Sequence, residues 1–280
     1  VVTHALADVT TPLWDELLTS MLYAGRHQGT TLFSPTSTSH VSWPPSHEID
    51  SIIATIRTDI ATIVGNKLNS DVSYMTATAN QISSSKAYVD PTGSPGTPIW
   101  TSANQVFYET KVTFIDEDNR RHFFNSGGEL RFDATLTGVD AAHAQSVDWQ
   151  TMLGAIQTIK LSHSSTESSA SVGTPGYGFN MLTGTYQLVY TKGGTGDYAG
   201  NQINIYAKLS GTTSIDIKLS FDDVHPSDTG TWSTPPYSGN WTGTDYVAGT
   251  LTVTLDELRA TDTPDGVTLT SPTYSHISQL

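Results

Sequence analysis

The chain has no cysteine. That excludes a disulfide framework, a cysteine nucleophile and a thiolate metal site. Charge is scarce too: charged residues make up 14% of the 280 residues, against roughly a quarter in an average soluble domain. Positive charge is the scarcer sign, with 13 Lys and Arg against 27 Asp and Glu and a formal net charge of -14. A phosphate backbone rewards clustered Lys and Arg, so no nucleic-acid partner is expected. No apolar run approaches the ~18 residues of a membrane span, so no membrane insertion is expected either. Residues 1–10 hold neither a basic segment nor a long apolar one, and nothing there marks a secretory signal.

What the chain has in abundance is hydroxyl. It carries 43 Thr and 31 Ser, beside 23 Gly, 12 Tyr and 6 Trp. Disordered chains combine low hydrophobicity with high charge, and the charge half of that signature is missing here. β-branched and aromatic side chains fit a pleated, half-buried surface, so the composition favours strands and turns. A surface of hydroxyls in place of Lys and Glu is typical of extracellular or virion proteins.

Apolar periodicity divides the chain into unequal parts. Thr10 and Thr11 before Pro12 form a helix start, and Leu13, Trp14, Leu17, Leu18, Met21 and Leu22 recur at helical spacing. Ser46 caps a second helix, with Ile49, Ile52, Ile53, Ile56, Ile60, Ile63 and Val64 behind it and Gly65-Asn66 as a stop. A third helix is expected over 72–85. Residues 1–89 are therefore expected to be a helical assembly or attachment region. Residues 90–104 follow as a linker, opened by three Pro and two Gly in DPTGSPGTP. Residues 105–280 read as strands. A hairpin is expected from 105–114 and 121–124 around the acidic turn Asp116-Glu117-Asp118-Asn119. Further strands are expected at 130–136, 187–191, 201–209, 214–222 and 249–258, with one helix at 148–159 capped by Asp148. Strands at this spacing without alternating helices argue for an antiparallel sandwich. The expected fold is α+β: a short helical N-terminal region followed by a mainly antiparallel β-sandwich.

No catalytic, cofactor or metal set emerges from the spacing. The nine His residues lack His-x-x-x-His or Glu-x-x-His spacing. The run Asp222-Asp223-Val224-His225-Pro226-Ser227-Asp228 offers carboxylates and an imidazole, yet those residue types also form ordinary acidic loops. The run from Asp116 fails the calcium-loop pattern, with Arg121 at position six and Gly127 at position twelve. Lys192 precedes the glycines of Gly193-Gly194-Thr195-Gly196, the wrong order for a phosphate loop. Carboxylates for glycoside hydrolysis exist at Asp133, Asp216, Asp222, Asp223, Asp256 and Glu257, without a spacing that pairs any two. Two other groups stand out. Trp232, Tyr237, Trp241 and Tyr246 are candidates for stacking on a glycan, or else cover the end of the sandwich. Leu13, Trp14, Leu17, Ile52, Ile53, Ile56, Ile60 and Ile63 are candidates for a subunit interface, each contributing roughly 1.5–3 kcal/mol when buried.

A set of segments then carries a resemblance. They are Phe123-Phe124-Asn125-Ser126-Gly127-Gly128-Glu129-Leu130-Arg131-Phe132, Trp149 followed by 153–159, and Tyr186-Gln187 before Tyr190-Thr191-Lys192. Leu219-Ser220-Phe221-Asp222-Asp223, Gly249-Thr250-Leu251-Thr252-Val253 and Leu258-Arg259-Ala260-Thr261 complete it. Over roughly residues 107–275 the chain resembles a family of structural proteins of tailed bacteriophages, particularly phages of cyanobacteria and other aquatic bacteria. The N-terminal Arg26-His27-Gln28-Gly29 and 49–60 resemble the helical leaders of those proteins. Glu129 departs from the polar uncharged residue the family segment leads one to expect. The resemblance implies a non-enzymatic virion protein, of fibre or whisker type at the neck or tail. Its implied partners are further copies of itself and other virion proteins, and no catalytic, cofactor or metal residue is carried over. A glycan-binding adhesin, a depolymerase and a capsid decoration protein are the alternatives.

Overall fold

Strands dominate the residues that the computed structural model describes, which are 54–61, 75–89, 98–101, 105–225, 228–234, 237–243, 245–260 and 269–280. The main sheet has eleven strands. In spatial order they are β1 (Met75–Tyr88), β14 (Gly249–Ala260), β4 (Glu129–Thr137), β5 (Ile159–Leu161), β6 (Ser165–Ser168) and β7 (Thr174–Tyr177). The order continues with β8 (Gln187–Gly193), β9 (Gln202–Ser210), β10 (Ser214–Asp222), β3 (Gln105–Thr113) and β15 (Thr273–Ser278). Every neighbouring pair is antiparallel.

The sheet curls until its ends meet. Tyr274 on β15 donates its hydroxyl to Glu257 Oε2 on β14 at 2.6 Å, and Leu280 N donates to Ser84 Oγ on β1 at 3.2 Å. Alternate positions fill the interior. Leu251, Val253 and Leu255 on β14 oppose Leu136, Ala134 and Phe132 on β4. Ile215, Ile217, Leu219 and Phe221 on β10 are fully buried and meet Ile203, Ile205 and Ala207 on β9 in the same register. The outer face of β1 and β14 is set with hydroxyls, among them Ser85 and Thr252, whose oxygens lie 2.9 Å apart.

Three helices are described. α1 spans 54–61. α2 (Glu117–Asn125) starts at Asp116, whose carboxylate accepts from Asn119 N at 2.6 Å, and Glu117 and Asp118 place negative charge in its first turn. It ends in a Schellman turn: Gly127, at φ 88°, donates to Phe124 O, and Gly128 N donates to Phe123 O. α3 (Ala144–Ile156) turns Trp149, Met152, Leu153 and Ile156 into the core. Trp149 packs at 4.8 Å between ring centroids on Trp100 of β2 (Trp100–Thr101), and Tyr88 meets Trp100 at 5.6 Å. These rings plug one end of the sheet. β2 pairs with β13 (Tyr246–Val247). Among the described residues no helix is long and apolar enough to cross a membrane.

Several expectations are corrected. The helix expected over 72–85 is β1, in which Ile82, Ser84, Lys86 and Tyr88 alternate with exposed Ser83, Ser85 and Ala87. Residues 1–89 are therefore not wholly helical. The expected linker 90–104 contains β2, and Trp100 there is fully buried. The expected hairpin at 105–124 does not form: β3 pairs with β10 and β15, and the acidic run caps α2. α3 begins at His143 rather than Asp148. The strands expected at 130–136, 187–191, 214–222 and 249–258 lie within strands of the main sheet, and that expected at 201–209 matches β9 from Gln202 on. The helix expected behind Thr10 lies outside the described residues.

Candidate functional site

Besides the β2–β13 pair, one further element among the described residues stands outside the main ladder. β11 (Asp228–Thr234) and β12 (Tyr237–Gly243) form a two-stranded hairpin that pairs only with itself. Register sets Trp232 opposite Gly239, Trp241 opposite Gly230 and Tyr237 opposite Thr234. Partners across a ladder share a face, as do residues two apart along a strand. By backbone register, positions 232, 237 and 241 fall on the same side of the ladder, and positions 229, 231, 233, 238, 240 and 242 on the other. Tyr246 does not belong with them. It lies on β13, is buried, and engages His143 through its hydroxyl, with ring centroids 4.4 Å apart.

The arm is held by a polar root. On its entry side, Asp223 accepts from Gln145 Nε2 of α3 at 2.7 Å. Asn201, in the β8–β9 connection side of β9, is fully buried, and its Oδ1 accepts from Val224 N at 2.9 Å and His225 N at 3.1 Å. Across the root, His225 Nδ1 lies 2.6 Å from Asp245 Oδ2, joining the entry stem to the exit stem. Tyr198 packs its ring on His225 at 4.8 Å. On the exit side, Ala248 N donates to Ser146 Oγ at 3.0 Å. Asp148, one turn along α3 from Gln145, accepts from Thr195 Oγ1 at 2.7 Å. Both stems and the β8–β9 loop therefore converge on the first two turns of α3.

Burial sets the electrostatics of the root. The Asp223 carboxyl is pushed up to about 6, chiefly by loss of water, with the Asp245 charge adding to the rise. The His225 N–H, the Gln145 amide and the His225 side chain oppose it and lose. Among the described residues no three His, Asp or Glu side chains gather as a metal would need.

The other expected residues are scattered. Asp222 is held by Asn204 Nδ2 at 2.8 Å, and Asp216 lies between Lys208 at 3.4 Å and Lys111 at 3.7 Å. Glu257 is fully buried under Arg259, Ser271 and Tyr274. Asp133 accepts from Thr158 at 2.8 Å, and burial raises its pKa, with the Asp256 charge adding to the rise. Lys192 turns back onto Gly193 O at 2.6 Å. Of the expected interface residues, Ile56 is buried and Ile60 is 41% exposed on α1. Leu13, Trp14, Leu17, Ile52, Ile53 and Ile63 lie outside the described residues. Gln145, Asn201 and Asp245 carry no spacing signal, because lone amides and a lone carboxylate form no motif; only the fold brings them together. No family model, no curated protein and no solved structure matches this chain.

Proposed function

We propose that the protein is a non-enzymatic structural component of a tailed bacteriophage particle, carried at the neck or tail as a fibre- or whisker-type part. On this reading the segment ahead of β1 is the helical attachment region, and oligomerisation runs through its apolar stripes. The nearly closed antiparallel sheet is then the part that faces outward. The observation that supports the reading best is the self-closing sheet with one separate arm at its plugged end. Such a body keeps its edges to itself and offers a single appendage for contact. An antibody against the protein should label purified particles at the neck or tail. Label over the whole shell would replace this reading with capsid decoration, and absence of the protein from particles would overturn it.

A second reading, glycan recognition, is favoured by the arm's register. Trp232, Tyr237 and Trp241 share one face, and a glycine stands opposite each Trp. Flat rings beside positions without side chains suit stacking against the apolar face of a sugar. A glycan array should then give binding that Trp241→Ala removes; binding unchanged in that variant rejects the arm as the site.

A further inference from the structure

We propose that Asp223 is kept as the neutral acid in a hydrogen-bonded ring with the Gln145 carboxamide, and that loss of its proton loosens the root of the β11–β12 arm. Gln145 and Asp223 are 1% and 2% exposed. One bond joins them, Gln145 Nε2 to Asp223 Oδ1 at 2.7 Å. The two atoms left over, Gln145 Oε1 and Asp223 Oδ2, are both buried without a hydrogen-bond partner. Both are acceptors, and each is the twin of an atom already in the bond. A single proton on Oδ2 supplies the donor that Oε1 lacks, and both orphans are satisfied at once. Turning the Gln145 amide over would instead set its oxygen against Oδ1, so the present orientation is the consistent one.

None of the surrounding groups makes a hydrogen bond to Asp223 Oδ2. His225 N donates to Oδ1 at 3.2 Å, not to Oδ2. Asn201 Oδ1 accepts from the Val224 and His225 N–H groups, and its Nδ2, buried without a hydrogen-bond partner, makes no bond to Asp223. The His225 imidazole faces Asp245, with Tyr198 on its other side. Asp148 on α3 turns to Thr195, and Asp222 turns to Asn204. His143, at the cap of α3, lies between Asp140 and Tyr246. The His225 N–H, the Gln145 amide and the His225 side chain favour the charged form, as does the N-terminal turn of α3. Burial and Asp245 oppose them and prevail, leaving a titration near 6. Above that pH the ionised Oδ2 and Gln145 Oε1 are both left without a donor. Asp223 sits on the entry stem, and the exit stem is tied to the same turn of α3 through Ser146. Loosening this contact therefore reaches both stems.

Hydrogen exchange over 228–243, corrected for intrinsic rates and followed from pH 5 to pH 8, tests the proposal. Protection in the wild type should fall by about tenfold as pH rises through the titration. In Asp223→Asn the second amide offers the same ring without a titrating proton, so protection should stay at its acid level throughout. A pH step that persists in Asp223→Asn overturns the proposal, as does a flat wild-type profile. Carbon-13 titration of the Asp223 carboxyl in the wild type gives an independent readout, available even where the variant does not fold. A carboxylate already ionised at pH 5 overturns the proposal.

Discussion

Burying a carboxyl is tolerable where donors meet its oxygens, and costly where they do not. Glu257 and Asp223 illustrate the two situations. Glu257 Oε1 accepts from Arg259 Nε at 2.8 Å and Ser271 Oγ at 2.6 Å, while Oε2 accepts from Tyr274. Burial and that carboxylate push the Tyr274 hydroxyl pKa well above its usual value, so Tyr274 remains a donor at all ordinary pH. Tyr274→Phe removes the one donor to Oε2, and urea unfolding should show a loss of about 1–3 kcal/mol. Asp223 lacks such donors. Its pKa rises from 3.8 in the unfolded chain to about 6 in the fold. The folded state therefore binds the proton more tightly, and the stability this confers is full below about pH 4. It drains away as pH rises through 6. Urea unfolding should find the wild type less stable at pH 7.5 than at pH 4.5 by up to about 2 kcal/mol from this group. Asp223→Asn should lack that contribution.

Elements whose shape is decided locally were legible before the fold was seen. The alternation of Leu130, Phe132, Ala134 and Leu136 marks β4, and the spacing of Trp149, Met152, Leu153 and Ile156 marks α3, because each element turns one apolar face to one core. Misreadings came where local and distant forces diverge. The run from Asp116 to Asn119 suits a turn and a helix cap equally. Phe123 and Phe124, both buried beneath the sheet, decide for the helix. β1 has few apolar residues, and it is a strand because β14 supplies a ladder from far along the chain. The polar root was illegible for the same reason, since its members come from α3, the β8–β9 connection and both stems of the arm. Where α2 ends, Gly128 leaves no room: an added Cβ would lie 2.3 Å from Phe123 O. Gly128→Ala should lower the urea midpoint, at a cost of about 1–3 kcal/mol for the forced shift. Trp149→Ala should cost about 3–5 kcal/mol by the same measurement, because it empties the plug against Trp100.

On the scale of the whole molecule, the arm and the sheet are separable in a way the strands of the sheet are not. Among the described residues β11 and β12 pair only with each other. Replacing 228–243 with a short glycine-rich connection should leave the core aromatic circular dichroism in place and shift the urea midpoint little, while abolishing any binding that belongs to the arm. The sheet allows no such excision. Ser85 and Thr252, hydrogen-bonded neighbours on β1 and β14, are 167 positions apart in sequence. A ribosome making this chain releases β1 long before its partner exists. Until β14 emerges, a fourteen-residue ribbon waits with both flanks open, a template for any extended peptide nearby. Its polar residues, among them Ser83, Ser84, Ser85 and Lys86, and its sparse apolar ones make it a poor nucleus for aggregation during that wait. The weak apolar pattern that hid β1 as a strand would thus keep the nascent chain out of trouble during synthesis.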